Sequence, residues 1–176
     1  MHETGEIRIV EIAHRLPAGL DALASEARGE GWRHIDRLIS EWACGAECFD
    51  RPGEVLLAAF IADELAAVGG LTVEPRLNRA FRMRRLYVRP SLRRQGIGRL
   101  LAQALIEHAA GSAEALTVNA GDAAAVRFWE KLGFAIACGA SHGSGSDFMV
   151  LPRSSVKPAT RAPGLPAPSR RDKASR

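Results

Sequence analysis

The sequence predicts one mixed α/β (α+β) domain, with a mostly antiparallel sheet of about six to seven strands flanked by about four helices. Apolar runs joined by short turns indicate hairpins. Segments with apolar residues at intervals of three and four indicate amphipathic helices between other strands. A chain of 176 residues with 47% hydrophobic residues has enough apolar side chains for one domain with a sizeable core.

Seven segments have the alternating or continuous apolar patterns that are typical of strands. They are residues 7–12, 54–63, 64–75, 81–88, 114–120, 134–138 and 146–151. The second and third segments meet at Asp63-Glu64, which indicates a hairpin. Gly69-Gly70 inside the third indicates a bulge or a close approach of another backbone.

Four helices are predicted between these strands. Pro17 opens the first, residues 17–30, and residues 31–45 and 97–110 have helical apolar spacing. The fourth helix, 122–133, begins with Asp122 as its N-cap and ends with glycine. The order β-α-α-β-β-β-α-β-α-β-β predicts a sheet that is antiparallel at first and locally parallel around residues 84–119.

The positive charge is concentrated at the C-terminal end. The chain has a formal net charge of +4, but residues 153–176 hold seven of the 24 Arg and Lys residues and one of the 20 acidic residues. Residues 1–152 are therefore left with a formal charge of −2. The tail is rich in Pro, Ser and Ala, so we predict a domain at 1–152 and a solvated, disordered tail at 153–176. Contact between the tail and a polyanion such as nucleic acid is the alternative.

Cysteine usage and hydropathy predict neither a metal site nor a membrane segment. Cys44, Cys48 and Cys138 form no CxxC pair, and no His/Cys cluster has metal-ligand spacing. The longest apolar stretch is interrupted by Asp63 and Glu64, which makes it unsuitable for spanning a bilayer. We expect a cytoplasmic protein without membrane contact.

Gly96 and Gly98 lie between a predicted strand and a predicted helix. A P-loop would require Gly-Lys-Ser/Thr, which "GIGRLL" lacks. A dinucleotide-binding turn would require a third glycine where Leu101 stands. The remaining mechanism is an anion cradle, in which the glycines turn N–H groups outward and the helix dipole adds positive potential. Three arginines add charge there: Arg93, Arg94 and Arg99. A plain loop with solvated arginines is the alternative.

Two ordered motifs in this region resemble those of one family. "LYVRPSLRRQGIGRLL" resembles the acetyl-CoA signature of the GNAT (GCN5-related N-acetyltransferase) family, Arg/Gln-x-x-Gly-x-Gly/Ala between a strand and a helix. "AAAVRFWEKLGF" resembles the family's Ala-x-x-Phe/Leu-Tyr-x-Lys-x-Gly-Phe. The residues that match the second motif are Ala125, Phe128, Lys131, Gly133 and Phe134.

The resemblance implies a GNAT-like fold over residues 1–152 and acetyl-CoA as cosubstrate, with no metal. In the family, the pantetheine arm lies between the strand before the turn and its parallel neighbour, and the pyrophosphate lies on the N–H groups of the turn. The implied acetyl-CoA residues here are Leu86, Tyr87, Val88, Arg93, Arg94, Gln95, Gly96, Ile97, Gly98, Arg99, Asn119 and Asp122. The resemblance also implies that the backbone N–H near Val88 stabilises the oxyanion.

The chain departs from the family where catalytic side chains are expected. The usual glutamate early in the strand before the turn is absent, and Arg82 stands near its place. Glu74 is the first candidate for the general base, with a solvated strand-end carboxylate as the alternative. His142 and His34 are lesser candidates.

Two further substitutions fall in the second motif and just before it. Trp129 replaces the usual tyrosine that protonates the departing thiolate. Its N–H can donate a hydrogen bond but does not release a proton at neutral pH. A core aromatic is the alternative interpretation of Trp129. Asp122 replaces a frequent asparagine that meets the cofactor, and an N-cap is its alternative role.

The sequence leaves two main hypotheses for function. The first is an N-acetyltransferase that transfers acetyl from acetyl-CoA to a small-molecule or peptide amine by direct attack. The second is a degenerate GNAT domain that binds acyl-CoA as a non-catalytic sensor or partner module. A homodimer is a further expectation. Arg82 and Arg84 share one strand face, so an acidic acceptor such as an amino acid is a subsidiary hypothesis.

Overall fold

The strands and helices follow the predicted order. The computed structural model describes residues 6–142 and 146–152. The strands are β1 (Ile7–Glu11), β2 (Val55–Ile61), β3 (Glu64–Val73), β4 (Ala80–Val88), β5 (Ala115–Ala120), β6 (Ala135–His142) and β7 (Ser146–Pro152). The helices are α1 (Leu20–Gly29), α2 (His34–Ala43), α3 (Ile97–Ala109) and α4 (Ala123–Glu130), with a short 3-10 turn at Pro90–Leu92.

The strands form one mixed sheet in the order β1-β2-β3-β4-β5-β7-β6. Within the described residues, β4 and β5 make its parallel pair, and the other neighbours are antiparallel. The predicted fold class, with seven strands and four helices in this part of the chain, is confirmed.

The β2–β3 hairpin turns one residue earlier than its sequence indicated. Ala62 and Asp63 have φ angles of 48° and 64°, which fits a two-residue type I′ turn, and Glu64 already belongs to β3. The side chain of Asp63 accepts a hydrogen bond from Arg8 of β1 at 2.9 Å. The turn therefore ties together three strands at this edge of the sheet.

Hydrophobic residues cover both faces of the sheet. One cluster joins α3 and α4 to the sheet and includes Leu101, Leu105 and Trp129. The other joins α1 and α2 to the opposite face and includes Leu23, Leu38 and Tyr87. The sheet thus separates an α3/α4 side from an α1/α2 side.

The first two helices begin later than predicted. Gly19 has a φ of 88°, a left-handed conformation that a right-handed helix cannot include, so α1 starts at Leu20 instead of Pro17. Gly31, with a φ of 85°, similarly separates α1 from α2, and Trp32 precedes α2 instead of lying on it. The side chain of Trp32 is consequently free to reach across to another element.

No helix in residues 6–142 and 146–152 is both long and apolar enough to cross a membrane. The same described ranges contain no group of three or more His, Cys, Asp or Glu residues that could hold a metal ion. The predicted tail at 153–176 and the side chains of Cys138 and His142 lie outside the part that the structure describes.

Candidate functional site

The parallel strands β4 and β5 separate soon after they meet. Their pairing joins residues 80–82 to residues 115–117. Beyond this pairing, β4 continues to Val88 beside β3, and β5 continues beside β7. The gap that opens between residues 83–88 and 118–120 is called the cleft below.

The backbone of Val88 faces the cleft. The N–H of the next residue, Arg89, donates to the carbonyl of Ala66 at 2.8 Å, so the backbone groups of Arg89 face β3. Because successive strand residues direct their N–H and C=O groups to opposite edges, those of Val88 point away from β3. The same alternation applies to Leu86. This edge of β4 can therefore hydrogen-bond an extended ligand.

A β-bulge bends β4 beside the cleft. The register between β3 and β4 shifts between Val68 and Gly70, and Arg85 has a φ of 60°. The left-handed conformation costs a non-glycine residue about 1–2 kcal/mol, so its surroundings must hold it. A Cβ at Gly69 would lie 2.8 Å from the Cδ1 atom of Leu86. The bulge and the close approach predicted at Gly69-Gly70 are both present.

The turn before α3 exposes unpaired backbone donors. Arg94 and Gly96 have φ angles of 68° and 84°, and α3 begins at Ile97. Gly96 provides no side-chain cap, and the first turn of α3 contains no acidic residue. The first N–H groups of the helix therefore lack intrahelical partners beside the positive end of its dipole. The exposed side chains of Arg94, Gln95 and Arg99 surround an arrangement that suits a pyrophosphate.

Gly98 brings α3 close to the end of β4. A Cβ at this position would lie 3.1 Å from the Cγ2 atom of Val88, tighter than ordinary side-chain contacts. Ile97 is buried in the core on the α3/α4 side. The two glycines consequently have separate roles, since Gly96 permits the turn and Gly98 permits the close packing.

The Arg93 side chain is bonded to other residues, so its predicted role of adding charge at the turn stays a prediction that these contacts oppose. Its Nη1 and Nη2 atoms donate to the two carboxylate oxygens of Glu30, each at 2.6 Å, and its Nε donates to the Val88 carbonyl at 3.0 Å. Tyr87 donates to the same Glu30 carboxylate at 2.6 Å. These donors lower the pKa of Glu30, with Arg93 the largest cause. Arg93 and Tyr87 thus fasten the end of β4 to α1.

Glu74 is buried at the point where β4 and β5 diverge. Only 1% of its surface is exposed. Its carboxylate accepts two hydrogen bonds from Arg82, at 2.8 and 2.7 Å, and one from Thr117 at 2.8 Å. The side chain and backbone N–H of Arg76 also donate to it. These bonds outweigh the effect of burial and lower the pKa of Glu74 to about 2. A carboxylate that accepts this many hydrogen bonds is a poor proton acceptor. The assignment of Glu74 as the general base therefore stays a prediction, and these contacts argue against it.

Trp32 and His34 border the cleft on the α1/α2 side. The ring of His34 contacts the backbone of Leu86 and packs edge-on against Tyr87, with the ring centroids 5.5 Å apart. Its Nε2 atom is buried without a hydrogen-bond partner among the described residues. A Cβ at Gly121, just after β5, would lie 3.3 Å from the Trp32 ring. The first residue of α2 therefore reaches β4, and the segment before α2 reaches the end of β5.

Trp129 is a core residue of α4. It is 4% exposed and packs edge-on against Phe128 and Phe134, with ring centroids 4.9 and 5.1 Å away. This packing fits the alternative interpretation, a core aromatic. A contact with a departing thiolate stays a prediction.

The two other predicted cofactor residues lie at the β5 side. Asn119 is exposed on the α1/α2 face of β5. Asp122 caps α4, because its side chain accepts a hydrogen bond from the N–H of Ala125 at 2.7 Å. The N-cap prediction is confirmed, and a cofactor contact by Asp122 stays a prediction.

Sequence reasoning missed the partners of the arginines. Glu30 binds Arg93 across 63 positions of chain, and Glu41 binds Arg85 across 44. No local motif encodes such pairs, because they arise only when α1 and α2 pack on the sheet. The only signal in the sequence for these ion pairs was composition, because several arginines in β4 require acidic partners.

A family model described as the acetyltransferase (GNAT) family matches residues 18–134 of the chain. Among curated protein sequences, none matches. The family match spans α1 to the end of α4 and includes both glycine-turn and second-motif residues.

Solved structures with a similar fold include three acetyltransferase relatives. A protein from Exiguobacterium sp. 255-15 assigned as an acetyltransferase has a TM-score of 0.73 at 22% identity, covering 85% of this chain and 95% of its own. A GNAT-family acetyltransferase from Staphylococcus aureus Mu50 has a TM-score of 0.68 at 17% identity, with coverages of 84% and 99%. An aminoglycoside 6′-N-acetyltransferase complexed with coenzyme A has a TM-score of 0.64 at 18% identity, with coverages of 92% and 99%. At these identities the likeness concerns the fold.

Proposed function

Because the chain belongs to the acetyltransferase (GNAT) family, we propose that it transfers an acetyl group from acetyl-CoA to a primary amine. The observation that carries this proposal is the cleft, an unpaired edge of β4 that leads directly to the uncapped start of α3. An extended pantetheine arm needs the first feature and a pyrophosphate the second. The complex of a structural relative with coenzyme A supports the same ligand here.

Backbone groups would make most contacts with acetyl-CoA. The N–H groups of residues 94–99 would hold the pyrophosphate, and the exposed guanidinium groups of Arg94 and Arg99 would add charge. The cleft-facing backbone groups of Leu86 would bond a pantetheine amide. The carbonyl of Val88 already accepts a hydrogen bond from Arg93, so Val88 would offer only its N–H. This assignment explains why the turn needs its glycines more than any particular side chain.

The reaction would be a direct transfer. The amine nitrogen forms a bond to the thioester carbonyl carbon, and the C–S bond then breaks with its electron pair on sulfur. The N–H of Val88 would donate to the carbonyl oxygen as it becomes an oxyanion. A thiol has a pKa of about 8.5, so its anion leaves without an obligatory acid and Trp129 need not supply a proton.

We assign the general base to His34 in preference to Glu74. Burial, followed by the charge of Arg85 and more weakly of Arg37, lowers the pKa of His34, while the Leu86 backbone and Glu30 oppose this. The ring is therefore neutral at pH 7, and its Nε2 atom has no partner among the residues described. Because that atom is buried, the acceptor amine would have to bind directly against the ring for Nε2 to take its proton. Its contact with Leu86 places it beside the strand that would hold the thioester.

A pH profile tests this assignment. In the wild-type enzyme, kcat/KM should fall as the pH drops through a value below 6.5, where His34 becomes protonated. The variant His34→Gln should lose about two orders of magnitude in kcat and lack this acid limb. The exposed His14→Gln variant is the matched control and should retain it. An unchanged acid limb in His34→Gln would remove His34 from the mechanism.

A non-catalytic acyl-CoA module is the second candidate. It is favoured by one observation, namely that Glu74 and Trp129 are both engaged in structural contacts. Free-thiol release from acetyl-CoA, followed with a panel of amines, separates the two candidates. Turnover above background supports the transferase. Calorimetric binding of acetyl-CoA with no turnover of any amine supports the module, and absence of binding contradicts both.

A further inference from the structure

Three arginines of β4 lie toward the α1/α2 side of the sheet beside the cleft. We call Arg82, Arg84 and Arg85 the β4 arginine patch. Arg82 bonds Glu74 with two nitrogen atoms, at 2.8 and 2.7 Å, and the Nη2 atom of Arg85 bonds Glu41 of α2 at 2.5 Å. Both of these guanidinium groups therefore have a bonded carboxylate.

Arg84 differs from its two neighbours. Its nearest carboxylates among the described residues, Glu41 and Glu47, are each 4.0 Å away, beyond hydrogen-bond distance. Glu41 is already bound to Arg85, and Glu47 accepts the N–H of Phe49 at 3.1 Å. The side chain of Arg84 is 28% exposed, so a ligand can reach it. Within the described part of the chain, Arg84 thus has two long ion pairs and no hydrogen-bonded carboxylate.

The charge of Arg84 is only partly compensated in its half-buried position. Burial, followed by the charge of Arg85, lowers the pKa of Arg84, and the two distant carboxylates compensate only in part. A second donor in the same patch is also unsatisfied, because the Nε atom of Arg85 is buried without a partner and this residue is only 8% exposed. Burying a charged or polar donor without an acceptor is unfavourable.

Arg84 lies on β4 at the level where the cleft opens. Arg82 stands opposite Thr117 in the last β4–β5 pair. Arg84 lies two residues further along on the same face, where β5 has diverged and the exposed Asn119 lies across the gap. His34, proposed above as base, contacts β4 only two residues beyond Arg84. An anionic group on Arg84 would therefore lie in the same opening as an attacking amine.

We propose that Arg84 is a carboxylate subsite and that the acceptor is an amine of the amino-acid class, carrying a carboxylate near its amino group. A planar guanidinium matches a carboxylate with two parallel hydrogen bonds. Polyamines and aminoglycosides have no carboxylate for this guanidinium to bind. This inference rests on the proposed transferase function.

The test compares acceptors that differ only in the carboxylate. Free-thiol release is measured with phenylalanine, its primary amide and phenethylamine, with a second set built on another amino acid and with spermidine as the polycation. Wild-type kcat/KM for the amino acid should exceed that for the amide and amine by about tenfold or more. In Arg84→Gln, the KM for the amino acid should rise about tenfold to a hundredfold and the preference should vanish, while the KM for acetyl-CoA stays unchanged.

Controls separate the carboxylate contact from loss of structure. Arg8→Gln removes an exposed guanidinium from β1, an edge strand three positions away from β4, and should behave as wild type. Arg84→Lys keeps the charge without the planar guanidinium and should give a KM for the amino acid between those of wild type and Arg84→Gln. If Arg84→Gln melts at a much lower temperature, the KM of Arg84→Lys is used to test the carboxylate contact instead.

The outcomes distinguish this inference from the proposed function. Equal turnover of the amino acid and its amide, a preference for spermidine, or an equal loss for every acceptor in Arg84→Gln would overturn the subsite and leave the transferase standing. No turnover of any acceptor would overturn the transferase. In that case, amino-acid binding to the CoA-loaded protein is measured by calorimetry. Binding that is lost in Arg84→Gln would support the carboxylate subsite, and absence of binding to the wild type would contradict it.

Discussion

Gly96 and Gly98, two positions apart before and within the first turn of α3, have different physical reasons to lack a side chain. Gly96 has a φ of 84°, and a Cβ there would meet nothing within 4 Å. Gly98 has no such φ, but a Cβ there would crowd Val88 at 3.1 Å. One glycine is required by backbone conformation and the other by space.

We expect Gly96→Ala and Gly98→Ala both to weaken acetyl-CoA binding, measured by calorimetry. In Gly96→Ala, about 1 kcal/mol of left-handed strain should turn the donor N–H groups away. In Gly98→Ala, α3 must shift from Val88 at the end of the cleft. Gly111→Ala, with no left-handed φ and open space around the position, is the control and should bind as wild type. Wild-type affinity in both turn variants would place the pyrophosphate elsewhere.

Glu74 holds the point where β4 and β5 part. We expect Glu74→Gln to lower the free energy of unfolding by about 3 kcal/mol, since it leaves the partly buried Arg82 without its counter-charge. Denaturant unfolding measures this. Glu114→Gln breaks an exposed ion pair with Arg79 and should change stability by less than about 1 kcal/mol. Equal effects of the two substitutions would contradict the structural role of Glu74.

The same carboxylate predicts the acid sensitivity of the fold. Its pKa is lowered from 4.5 to about 2, so the unfolded chain binds the proton more readily and stability falls as the pH drops from about 4.5 toward 2. The contribution lost is about 3 kcal/mol. Unfolding free energies measured between pH 6 and pH 2.5 should show this fall in the wild type and a shallower one in Glu74→Gln.

At the scale of elements, the sequence predicted what depends on local pattern. Asp122 at the start of α4 and the glycine turn before α3 are short-range signals, and both helices begin where expected. The start of α1 was misplaced because the left-handed conformation of Gly19 has no unambiguous sequence mark. Arg85 as the bulge residue and Glu30 as the partner of Arg93 depend on contacts between distant segments, which periodicity does not encode.

The cap of α4 allows a test of what Asp122 does. Asp122→Ala should destabilise the protein by about 1 kcal/mol because the N–H of Ala125 loses its acceptor. Asp122→Asn keeps an accepting oxygen and should remain within a few tenths of a kcal/mol of wild type. Thermal unfolding measures the stability and calorimetry the acetyl-CoA affinity. If Asp122→Asn keeps its stability but binds acetyl-CoA with changed affinity, the residue also meets the cofactor.

At the scale of the whole molecule, the cleft connects the two sides of the sheet. The turn before α3 belongs to the α3/α4 side, whereas Arg84, His34 and Trp32 border the cleft on the α1/α2 side. In the proposed reaction, acetyl-CoA would enter from one side and place its thioester between β4 and β5. The acceptor would then reach the thioester from the other side. This arrangement explains why motifs near α3 point to an acyl-CoA ligand, while the proposed acceptor site involves residues that contact α2.

The predicted boundary between a domain at 1–152 and a basic tail at 153–176 follows the charge distribution. We expect a chain ending at residue 152 to keep the fold and acetyl-CoA affinity, because Pro152 is the last residue of β7 and still pairs with Ala115. Removing residues 153–176 takes away seven basic and one acidic residue and leaves a formal charge of −2, so salt-sensitive retention on a DNA column should disappear. Thermal unfolding and calorimetry check the first expectation, and elution at increasing salt checks the second. If the truncated chain is still retained on the column, DNA binding belongs to arginines within residues 1–152. If the full-length chain is not retained, the tail has no role in binding nucleic acid.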